Sequence, residues 1–294
     1  MRTSPQQLEA FTYAARERSF SAAAKLLGVT QSAITQHVAN LERAMGVQLF
    51  VRHRSGLELT KPAQDLFQLS DRLCTVEQLI AEQLAAYGAL ETGHLRVIAN
   101  APRPAMPLIA EFSQRYPDVR LTFQLESWTA AMGRVKSRDV DIAVITEPEK
   151  LEGLYTLELS RSHYMAYMRS DHRFARRKTI SLAQLKDEAV VVPETGSLTQ
   201  RVIGEKLAHH KLTLNRIVEL TTFPMVKEAV LEGVGVGILL DRSFYPSPEI
   251  VMRPIKEIRD PFRTSLVTPA DKSELRFIRS FIEIAEQHAA GSTK

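Results

Sequence analysis

The stretch GVTQSAITQHVANLERAMGVQLF, Gly28 to Phe50, decides how the beginning of this chain folds. Its apolar residues recur at 4-3-4 spacing, which places Ile34, Val38, Leu41 and Met45 on one stripe of a helix. The opposite face carries mostly short uncharged hydrogen-bonding groups, followed by a single cation: Gln31, Ser32, Thr35, Gln36, Ala39 and Arg43. An ordinary solvent-exposed face is richer in Lys and Glu, so this face indicates a specific polar partner.

The flanking residues predict a helix-turn-helix. A first helix is expected from Pro5 to about Arg16, and Ser19 or Ser21 is a suitable N-cap for a second, short helix. Gly28 ends that helix because glycine tolerates the left-handed conformation of a tight helix exit. Thr30 then caps the helix of the opening stretch, so two helices are joined by a glycine turn.

A small hairpin is expected next. Two apolar-alternating runs, Val47 to Val51 and Leu57 to Leu59, flank the turn-forming residues HRSG. A helix-turn-helix followed by a basic hairpin is a winged helix.

A long helix is expected from Lys61 towards Gly88, and it contains a narrow apolar seam. The seam has the 3-4-3-4 spacing of a coiled coil and comprises Leu66, Leu69, Leu73, Val76 and Ile80. The seam either packs on its own domain or joins two copies of the chain. Because the helix links two compositionally different regions, we favour a dimerising linker.

Composition and charge limit the class of protein. A chain of 294 residues suggests two or three domains, and its 44% hydrophobic and 24% charged residues are typical of a soluble globular protein. Neither a membrane span nor a secretory signal is expected, and the single cysteine, Cys74, excludes an intramolecular disulfide and a cysteine-only zinc site. A cytoplasmic setting is the default. Residues 1–62 carry eight Lys or Arg and four Glu, so the whole net charge of +4 lies in the first fifth of the chain.

From about Glu91 onward, short β runs alternate with helical patterns, which favours parallel sheets of α/β type. This alternation of strands and helices occurs twice, and the chain is expected to cross from the first set to the second near residues 157–170. The chain ends in a helix over 273–288. Two small lobes with a cleft between them are therefore expected.

The runs SFSAAAKLLGVTQSAITQHVANLE, GVQLFVRHRSGLELTKPA, VDIAVIT and VLEGVGVGILL resemble the LysR-type transcriptional regulators. Two departures are His37, where that family often has Gln, Arg or Lys, and KPAQDLF in place of T-x-A-G. The resemblance implies an α/β protein with an α-rich head. Its parts would be a winged helix-turn-helix (1–60), a linker and dimerisation helix (61–89) and a two-lobed, periplasmic-binding-protein-like effector domain (90–294). It also implies a dimer of dimers and contact with RNA polymerase. The run ANAPRPAMPLIAEFSQRYP is similar to that of regulators associated with aminoethylphosphonate use.

Double-stranded promoter DNA is the expected partner of the head. Gln suits adenine, and Ser and Thr serve several base edges, so we predict base contacts by Ser32, Thr35 and Gln36. Gln31 is expected to contact a base or the adjacent phosphate, His37 a base or only phosphate, and Ser21 a phosphate. On the wing, the predicted contacts to phosphate or a narrow minor groove are Arg52 and Arg54. The alternative is an ordinary solvated helix face and a solvated basic surface.

A small effector is expected where strands end and helices begin in the two lobes. Hydroxyl groups beside free helix N–H groups favour a carboxylate or phosphonate, although each hydroxyl also suffices as the cap of its own helix. Trp128 is either a wall of the cleft or a core residue at the hinge, and an amino group on the ligand would suit Glu126 or Glu147. The predicted contacts are Asn100, Ala101, Arg103, Trp128, Thr129, Glu147, Ser197, Thr199, Thr222 and Phe223.

The sequence does not predict an enzyme, because it contains no HExxH, GxSxG or GxxxxGK[ST] motif. The run GVGVG at 233–237 precedes a strand, whereas a dinucleotide fingerprint follows one, so it predicts a helix stop followed by tight packing. No cofactor and no metal are expected. The alternative function is a constitutive or architectural DNA-binding protein whose C-terminal domain serves only oligomerisation.

Overall fold

The computed structural model describes residues 3–53, 56–85, 93–221, 223–243 and 246–291. It contains two compact units, each described by itself below. The first unit comprises Met1–Leu90 with the short segments Lys136–Asp139 and Glu274–Arg276. The second comprises Glu91–Val135, Val140–Ser273 and Phe277–Lys294.

The first unit begins with the predicted helix-turn-helix. The Oγ of Ser19 accepts a hydrogen bond from the backbone N of Ala22 at 3.2 Å, so Ser19 rather than Ser21 is the N-cap. Thr30 caps the third helix in the same way, through Ala33 N at 3.2 Å, and Gly28 has a φ of +64°. The three helices are α1 (Pro5–Glu17), α2 (Phe20–Leu26) and α3 (Gln31–Met45).

An aromatic and aliphatic core holds these helices together. Ile34, Val38 and Leu41 of α3 are buried as predicted, whereas Met45 at the end of the same stripe is 38% exposed. Phe50 contacts Phe11 and Phe20, each at a ring-centroid distance of 5.5 Å. The buried stripe fixes which face of α3 remains outside.

The wing is a hairpin of β1 (Phe50–His53) and β2 (Gly56–Leu59), paired antiparallel. Its first strand begins three residues later than the predicted Val47. After Gly46, the N–H of Val47 still bonds to the carbonyl of Glu42, and the carboxylate of Glu42 accepts from Leu49 N at 2.7 Å. These bonds hold the N–H groups of Val47 and Leu49 at Glu42, so the strand pairing begins only at Phe50, although the Leu49 carbonyl still accepts from Thr60 N at 3.0 Å.

The linker helix α4 (Lys61–Ala85) buries one face in the first unit. Asp71 on that face is fully buried, and its carboxylate lies 2.7 Å from Arg16 Nη2 and 2.8 Å from Arg138 Nε. Burial raises the pKa of the neighbouring Cys74 thiol. The last residues of the predicted helix, 86–89, lie outside the described part of the chain.

The second unit contains ten strands and five α-helices among its described residues. The strands are β3 (Gly93–Ala99), β4 (Val119–Leu125), β5 (Ile142–Thr146), β6 (Leu154–Ser162), β7 (Tyr164–Arg169), β8 (Ala189–Pro193), β9 (Arg216–Leu220), β10 (Val236–Leu240), β11 (Ile250–Pro254) and β12 (Phe262–Pro269). The helices are α5 (Pro102–Arg115), α6 (Trp128–Lys136), α7 (Leu198–His210), α8 (Phe223–Leu231) and α9 (Arg276–Gly291). Short 3-10 turns lie at Leu182–Leu185 and Ala270–Lys272.

The strands form two five-stranded sheets, in the orders β4-β3-β5-β12-β6 and β11-β7-β10-β8-β9. We call the first sheet with its helices the first lobe and the other the second lobe. Three strands in each sheet are parallel, as the alternating pattern predicted. Each sheet is nevertheless mixed, because β6, β7, β11 and β12 pair antiparallel with their neighbours.

The chain crosses between the lobes twice. The predicted crossover is the single residue His163 between β6 and β7. A second crossover, after β11, returns the chain to the first lobe, where β12 lies between β5 and β6. The final helix α9 then packs on the first lobe, with Phe281 5.5 Å from Phe112.

The GVGVG run at 233–237 was predicted to end a helix and then to pack tightly, and two of its glycines do so. Gly233 has a φ of +76° just after α8. A Cβ on Gly235 would lie 2.0 Å from the carbonyl oxygen of Ala189, so only glycine allows this approach of β10 to β8. The run is therefore a helix stop and a packing contact.

A buried ion cluster lies in the first lobe. The Asp141 carboxylate accepts from the backbone N of Arg96 at 2.9 Å and from its Nη2 at 3.2 Å, and Lys272 Nζ lies 3.5 Å away. Burial alone would raise the pKa of Asp141. The guanidinium of Arg96 and the ammonium of Lys272 outweigh that effect and hold the pKa well below its usual range.

None of the helices in the described ranges is both long and apolar enough to cross a bilayer.

Candidate DNA-reading surface and ligand cleft

The outer face of α3 presents the side chains predicted to read DNA. Gln31, Ser32 and Gln36 are exposed, and Thr35 and His37 are half-buried. Thr35 Oγ1 donates to the carbonyl of Gln31 at 2.9 Å, and the Ser32 hydroxyl lies 2.9 Å from that of Thr30. These are hydrogen bonds within α3 and its cap, so the hydroxyls can rotate to an external partner without breaking the core.

A polar row continues along the same face. Gln36 Nε2 donates to Asn40 Oδ1 at 2.8 Å, and Arg43 Nη1 donates to the same oxygen at 3.1 Å. Sequence reasoning did not single out Asn40, although its i,i+4 spacing from Gln36 was a visible signal. The bond orients the Gln36 amide on the helix surface.

The remaining predicted DNA contacts flank α3. Ser21 is exposed at the start of α2, and Arg52 is exposed on the wing, with its guanidinium carbon 5.2 Å from the centroid of the Phe20 ring. That contact fixes Arg52 on the outside of the helix-turn-helix core. Arg54 lies outside the described residues.

The predicted seam of α4 is a stripe of exposed apolar side chains. Leu69, Leu73, Val76 and Ile80 are 66%, 42%, 50% and 55% exposed. Leu66, at the start of the seam, is half-buried against the core of the first unit. A helix that buries Ala63, Phe67 and Cys74 on one side thus leaves a second apolar side exposed in the single chain.

A small cavity of about 60 Å³, which we call the cleft cavity, lies between the two lobes of the second unit. Its wall combines polar groups at strand and helix ends with a few apolar side chains. The lining residues are Asn100, Ala101, Leu125, Glu126, Ser127, Trp128, Thr146, Tyr164, Pro193, Glu194, Ser197, Leu198, Thr199, Thr221 and Leu240.

Three helices begin at this cavity, because Asn100 and Ala101 precede α5, Ser127 precedes α6 and Ser197 caps α7. Ser197 Oγ accepts from Gln200 N at 3.3 Å, so this hydroxyl does cap its helix. Asn100 Oδ1 accepts from Thr146 N at 3.0 Å and ties β3 to β5. The dipoles of three helix starts make the cavity favourable for an anion. Few backbone donors accompany them, because Pro102 and Pro104 of α5 have no N–H and the N–H of Thr129 in α6 already donates to Gly196.

Trp128 is both a wall of the cavity and a core residue. It is 8% exposed, and its indole N–H donates to the carbonyl of Thr146 at 3.0 Å. The guanidinium carbon of Arg201, from the second lobe, lies 3.9 Å from a ring centroid of Trp128. The two alternatives considered from the sequence therefore coexist.

Direct contacts close the cleft around this cavity. The backbone N and the Oγ1 of Thr129 both donate to the carbonyl of Gly196 at 3.1 Å, and Arg201 stacks on Trp128. Ligand sites usually have volumes of roughly 300 Å³ or more. The cleft cavity, at about 60 Å³, is therefore smaller than most sites for organic ligands.

Three of the predicted effector residues do not line the cavity. The Glu147 carboxylate accepts from Arg263 N at 2.6 Å, which directs it to β12. Thr129 lies at the cleft mouth, and Arg103 is half-buried outside the lining set. Thr222 lies outside the described residues, as does the side chain of Phe223.

Four polar lining residues escaped sequence reasoning, and one of them, Thr221, directly follows β9. Thr146 ends β5, so the strand-end rule used for Asn100 would have found it. Tyr164 begins β7, whose direction is reversed, so its first residue rather than its last lies at the cleft; its hydroxyl lies 3.2 Å from that of Thr199. Glu194 follows β8, and within the described ranges its carboxylate has no hydrogen-bond or ion-pair partner, whereas Glu126 pairs with Arg134 at 2.8 Å.

Two family models match the chain. Residues 5–64 match the bacterial regulatory helix-turn-helix protein, lysR family, and residues 88–290 match the LysR substrate binding domain. The first range covers the helix-turn-helix, the wing and the start of α4, and the second covers both lobes.

Individual relatives agree with these matches. The HTH-type transcriptional activator CmpR of Synechocystis sp. is 26% identical over 235 residues, which are 79% of this chain and 77% of that protein. The HTH-type transcriptional regulator XapR of Escherichia coli is 27% identical over 286 residues, covering 92% and 95%. The structure of a full-length OxyR variant from Pseudomonas aeruginosa has the same fold, with a TM-score of 0.77, 20% identity and coverage of 98% and 95%.

These matches support no particular branch of the family, so the likeness of residues 99–117 to aminoethylphosphonate-associated regulators stays a prediction. They do decide the class of protein. With a helix-turn-helix at one end and a substrate-binding domain over both lobes, the chain belongs to the LysR family of DNA-binding transcriptional regulators, which are controlled by an effector and are not enzymes.

Proposed function

We propose that this regulator reads its operator through the outer face of α3 and responds to a small anion bound in the cleft cavity. The DNA-reading part of the proposal rests on the uncharged outer face of α3, where Gln31, Ser32 and Gln36 are exposed and Thr35 is half-buried, opposite a buried apolar stripe. Side chains that both donate and accept discriminate base edges, whereas long cations bind any phosphate.

The proposed domains are a winged helix-turn-helix (1–60), a linker helix (61–89) and an effector domain (90–294). The exposed stripe Leu69–Leu73–Val76–Ile80 supports the linker as a dimer contact, because a second copy of α4 would bury it. A dimer presents two copies of α3 to two half-sites, which one helix-turn-helix alone cannot do. We extend the proposal to a dimer of dimers that acts in the cytoplasm at promoters, together with RNA polymerase.

Replacement of Gln36 tests base reading. In Gln36→Ala, the affinity for the operator is expected to fall by roughly 10- to 100-fold, since a bidentate amide contact to one base is lost. The affinity for random DNA should stay within about twofold, because phosphate contacts supply nonspecific binding. Fluorescence anisotropy on both DNAs measures the ratio, and an equal loss on operator and random DNA would contradict a base contact.

Arg52→Ala is the matched test of a phosphate contact on the wing. It should weaken operator and random DNA by a similar factor and reduce the slope of log affinity against log salt by about 1. The measurement is the same anisotropy titration at several salt concentrations. A loss confined to the operator, with an unchanged salt slope, would show that Arg52 reads sequence instead.

The effector half rests on the three helix starts around the cleft cavity. Their helix dipoles, with the polar side chains of Asn100, Ser197 and Thr199, favour a compact carboxylate or phosphonate. Glu194 adds a carboxylate at the same cavity, which favours an anion that also carries a hydrogen-bond donor. Ligand entry requires the lobes to part, so the effector shifts the population between lobe arrangements.

Trp128 provides the measurement, because it is the only tryptophan in the chain and lines the cavity. The full chain is titrated with small carboxylates and phosphonates. The correct effector should change the intensity or the wavelength of the Trp128 fluorescence emission. Thr199→Val removes one hydroxyl from the wall of the cavity. The effector affinity obtained from this fluorescence titration should then be roughly tenfold weaker.

Two outcomes would overturn the effector half. One is an emission change that Thr199→Val leaves unaltered. The other is an effector that binds while footprints on the operator stay identical with and without it; this would favour the alternative of a constitutive or architectural DNA-binding protein whose C-terminal domain serves only oligomerisation.

A further inference from the structure

A second cavity, of about 390 Å³, lies at the end of the second sheet where the chain enters and leaves that lobe. We call it the hinge cavity. His163 in the first crossover lines it, and so do Lys256 and Arg259 in the second crossover. Its volume lies within the range of roughly 300 to 1,000 Å³ that is typical of small-molecule sites. Neither the proposed operator contacts nor the cleft cavity explains it.

The floor of the hinge cavity is apolar. Ile255 and Ile258 are 1% and 2% exposed, and Met165 and the ring of Tyr164 complete the wall. Tyr164 also lines the cleft cavity, so one aromatic side chain separates the two cavities. A ligand here would have an apolar body, because such a floor offers dispersion contacts and no polar partner.

One buried polar atom at this cavity lacks a partner. Over the ranges that the structure describes, Asp241 Oδ1 is buried and accepts no hydrogen bond. Asp241 Oδ2 lies 3.9 Å from His163 Nδ1, which is longer than a hydrogen bond. A buried carboxylate oxygen without a donor is unfavourable, and a ligand ammonium group would supply the missing donor.

Two cationic side chains, Lys256 and Arg259, line another part of the wall of the hinge cavity. Lys256 and Arg259 are exposed, and Arg259 Nε donates to the carbonyl of Lys256 at 3.0 Å. In the described part of the chain, neither side chain forms an ion pair. An acid group on the ligand would therefore meet an ammonium and the free edge of a guanidinium.

We propose that the hinge cavity is a second ligand site that binds an apolar α-amino acid. The ammonium group binds Asp241, the carboxylate group binds Lys256 and Arg259, and the side chain packs on Ile258. A ligand there contacts both crossovers and Tyr164, so its binding depends on how the lobes are arranged. The site thereby gives the protein a second input besides the cleft effector.

The test uses isothermal titration of the full chain with three probes of one shape. L-leucine carries both charged groups, 4-methylpentanoate lacks the ammonium, and 3-methylbutylamine lacks the carboxylate. Leucine should bind with a Kd of about 1 mM or below, and each of the other probes at least about tenfold more weakly. Absence of leucine binding at ~10 mM, or equal binding of all three probes, would overturn the proposal.

Variants locate the binding. Asp241→Asn and Lys256→Gln should each weaken leucine by about tenfold or more. Lys256 is exposed, so that variant keeps the fold even if Asp241→Asn does not. Asp171→Asn is the matched control, since Asp171 is an exposed carboxylate of the same lobe that lines neither cavity, and it should leave leucine binding unchanged.

A further variant separates the two cavities. If leucine binding falls in Ser197→Ala and not in Asp241→Asn, the amino acid occupies the cleft cavity and the second site does not exist. The anion response of Trp128 and the operator titrations use other residues, so a failure here leaves the proposed function standing.

Discussion

Asp141→Ala should lower the free energy of unfolding by about 3 to 5 kcal/mol, because it removes the carboxylate that pairs with the guanidinium of Arg96 and the ammonium of Lys272 inside the first lobe. The Lys272 side chain is 1% exposed and that of Arg96 12%, so water replaces the lost carboxylate poorly. The backbone N–H of Arg96 also loses its acceptor. Urea unfolding followed by circular dichroism measures the change.

The control for that variant is Asp171→Ala, which breaks an exposed ion pair with Arg169 at 2.8 Å. Fully exposed pairs of this kind contribute little to stability because water screens them, so the control should unfold almost as the parent does. Equal effects of the two variants would show that burial of the Asp141 cluster adds nothing to stability.

The same cluster sets an acid limit on stability. Because the pKa of Asp141 is lowered in the folded chain, its contribution is fully present above the unfolded value of about 4. As the pH falls below that value, the unfolded chain binds a proton that the folded chain does not, and the free energy of unfolding decreases. Asp141→Ala should show a shallower decrease between about pH 4 and pH 2 than the parent chain.

Leu73→Asp should convert the proposed dimer to monomers and lower operator affinity by about 100-fold or more. Leu73 lies in the middle of the exposed stripe of α4, and a carboxylate there would be buried opposite its own copy in a dimer. A monomer binds one half-site at a time and loses the gain from simultaneous engagement. Sedimentation at micromolar concentration and anisotropy on the operator are the measurements.

The matched control is Gln68→Asp, which adds the same charge at an exposed position of α4 outside the stripe. It should remain dimeric and bind the operator within about threefold of the parent. A Leu73→Asp chain that stays dimeric and binds normally would show that other surfaces hold the dimer.

Local patterns were sufficient for most of the fold and for part of the site. The spacing of Ile34, Val38 and Leu41 predicted the orientation of α3, and the strand-end rule found Asn100 and Ser197, because each depends only on residues near in sequence. The reversed strand β7, which brings Tyr164 to the cleft, depends on pairing between distant segments.

Other features also depend on distant contacts. The return of β12 to the first lobe has no local signature, since the pattern of a strand does not identify its neighbours. The position of Glu147 made it a reasonable ligand contact. Its carboxylate instead accepts a hydrogen bond from the backbone N of Arg263, which is 116 residues away in the sequence. Asp241 and Lys256 meet at one cavity only because β10 and β11 both pair with β7.

Selection from a random-sequence DNA library with the full chain tests the central claim most directly. The account predicts an enriched site of two inverted half-sites, with centres about one helical turn (~10 base pairs) or a multiple of it apart. Gln36→Ala should lose the preference at one position in each half-site and keep the spacing. A selected pool that shares only a base composition, without a defined site, would contradict a regulator that reads sequence through α3. Selection of the same site by Gln36→Ala would contradict it as well.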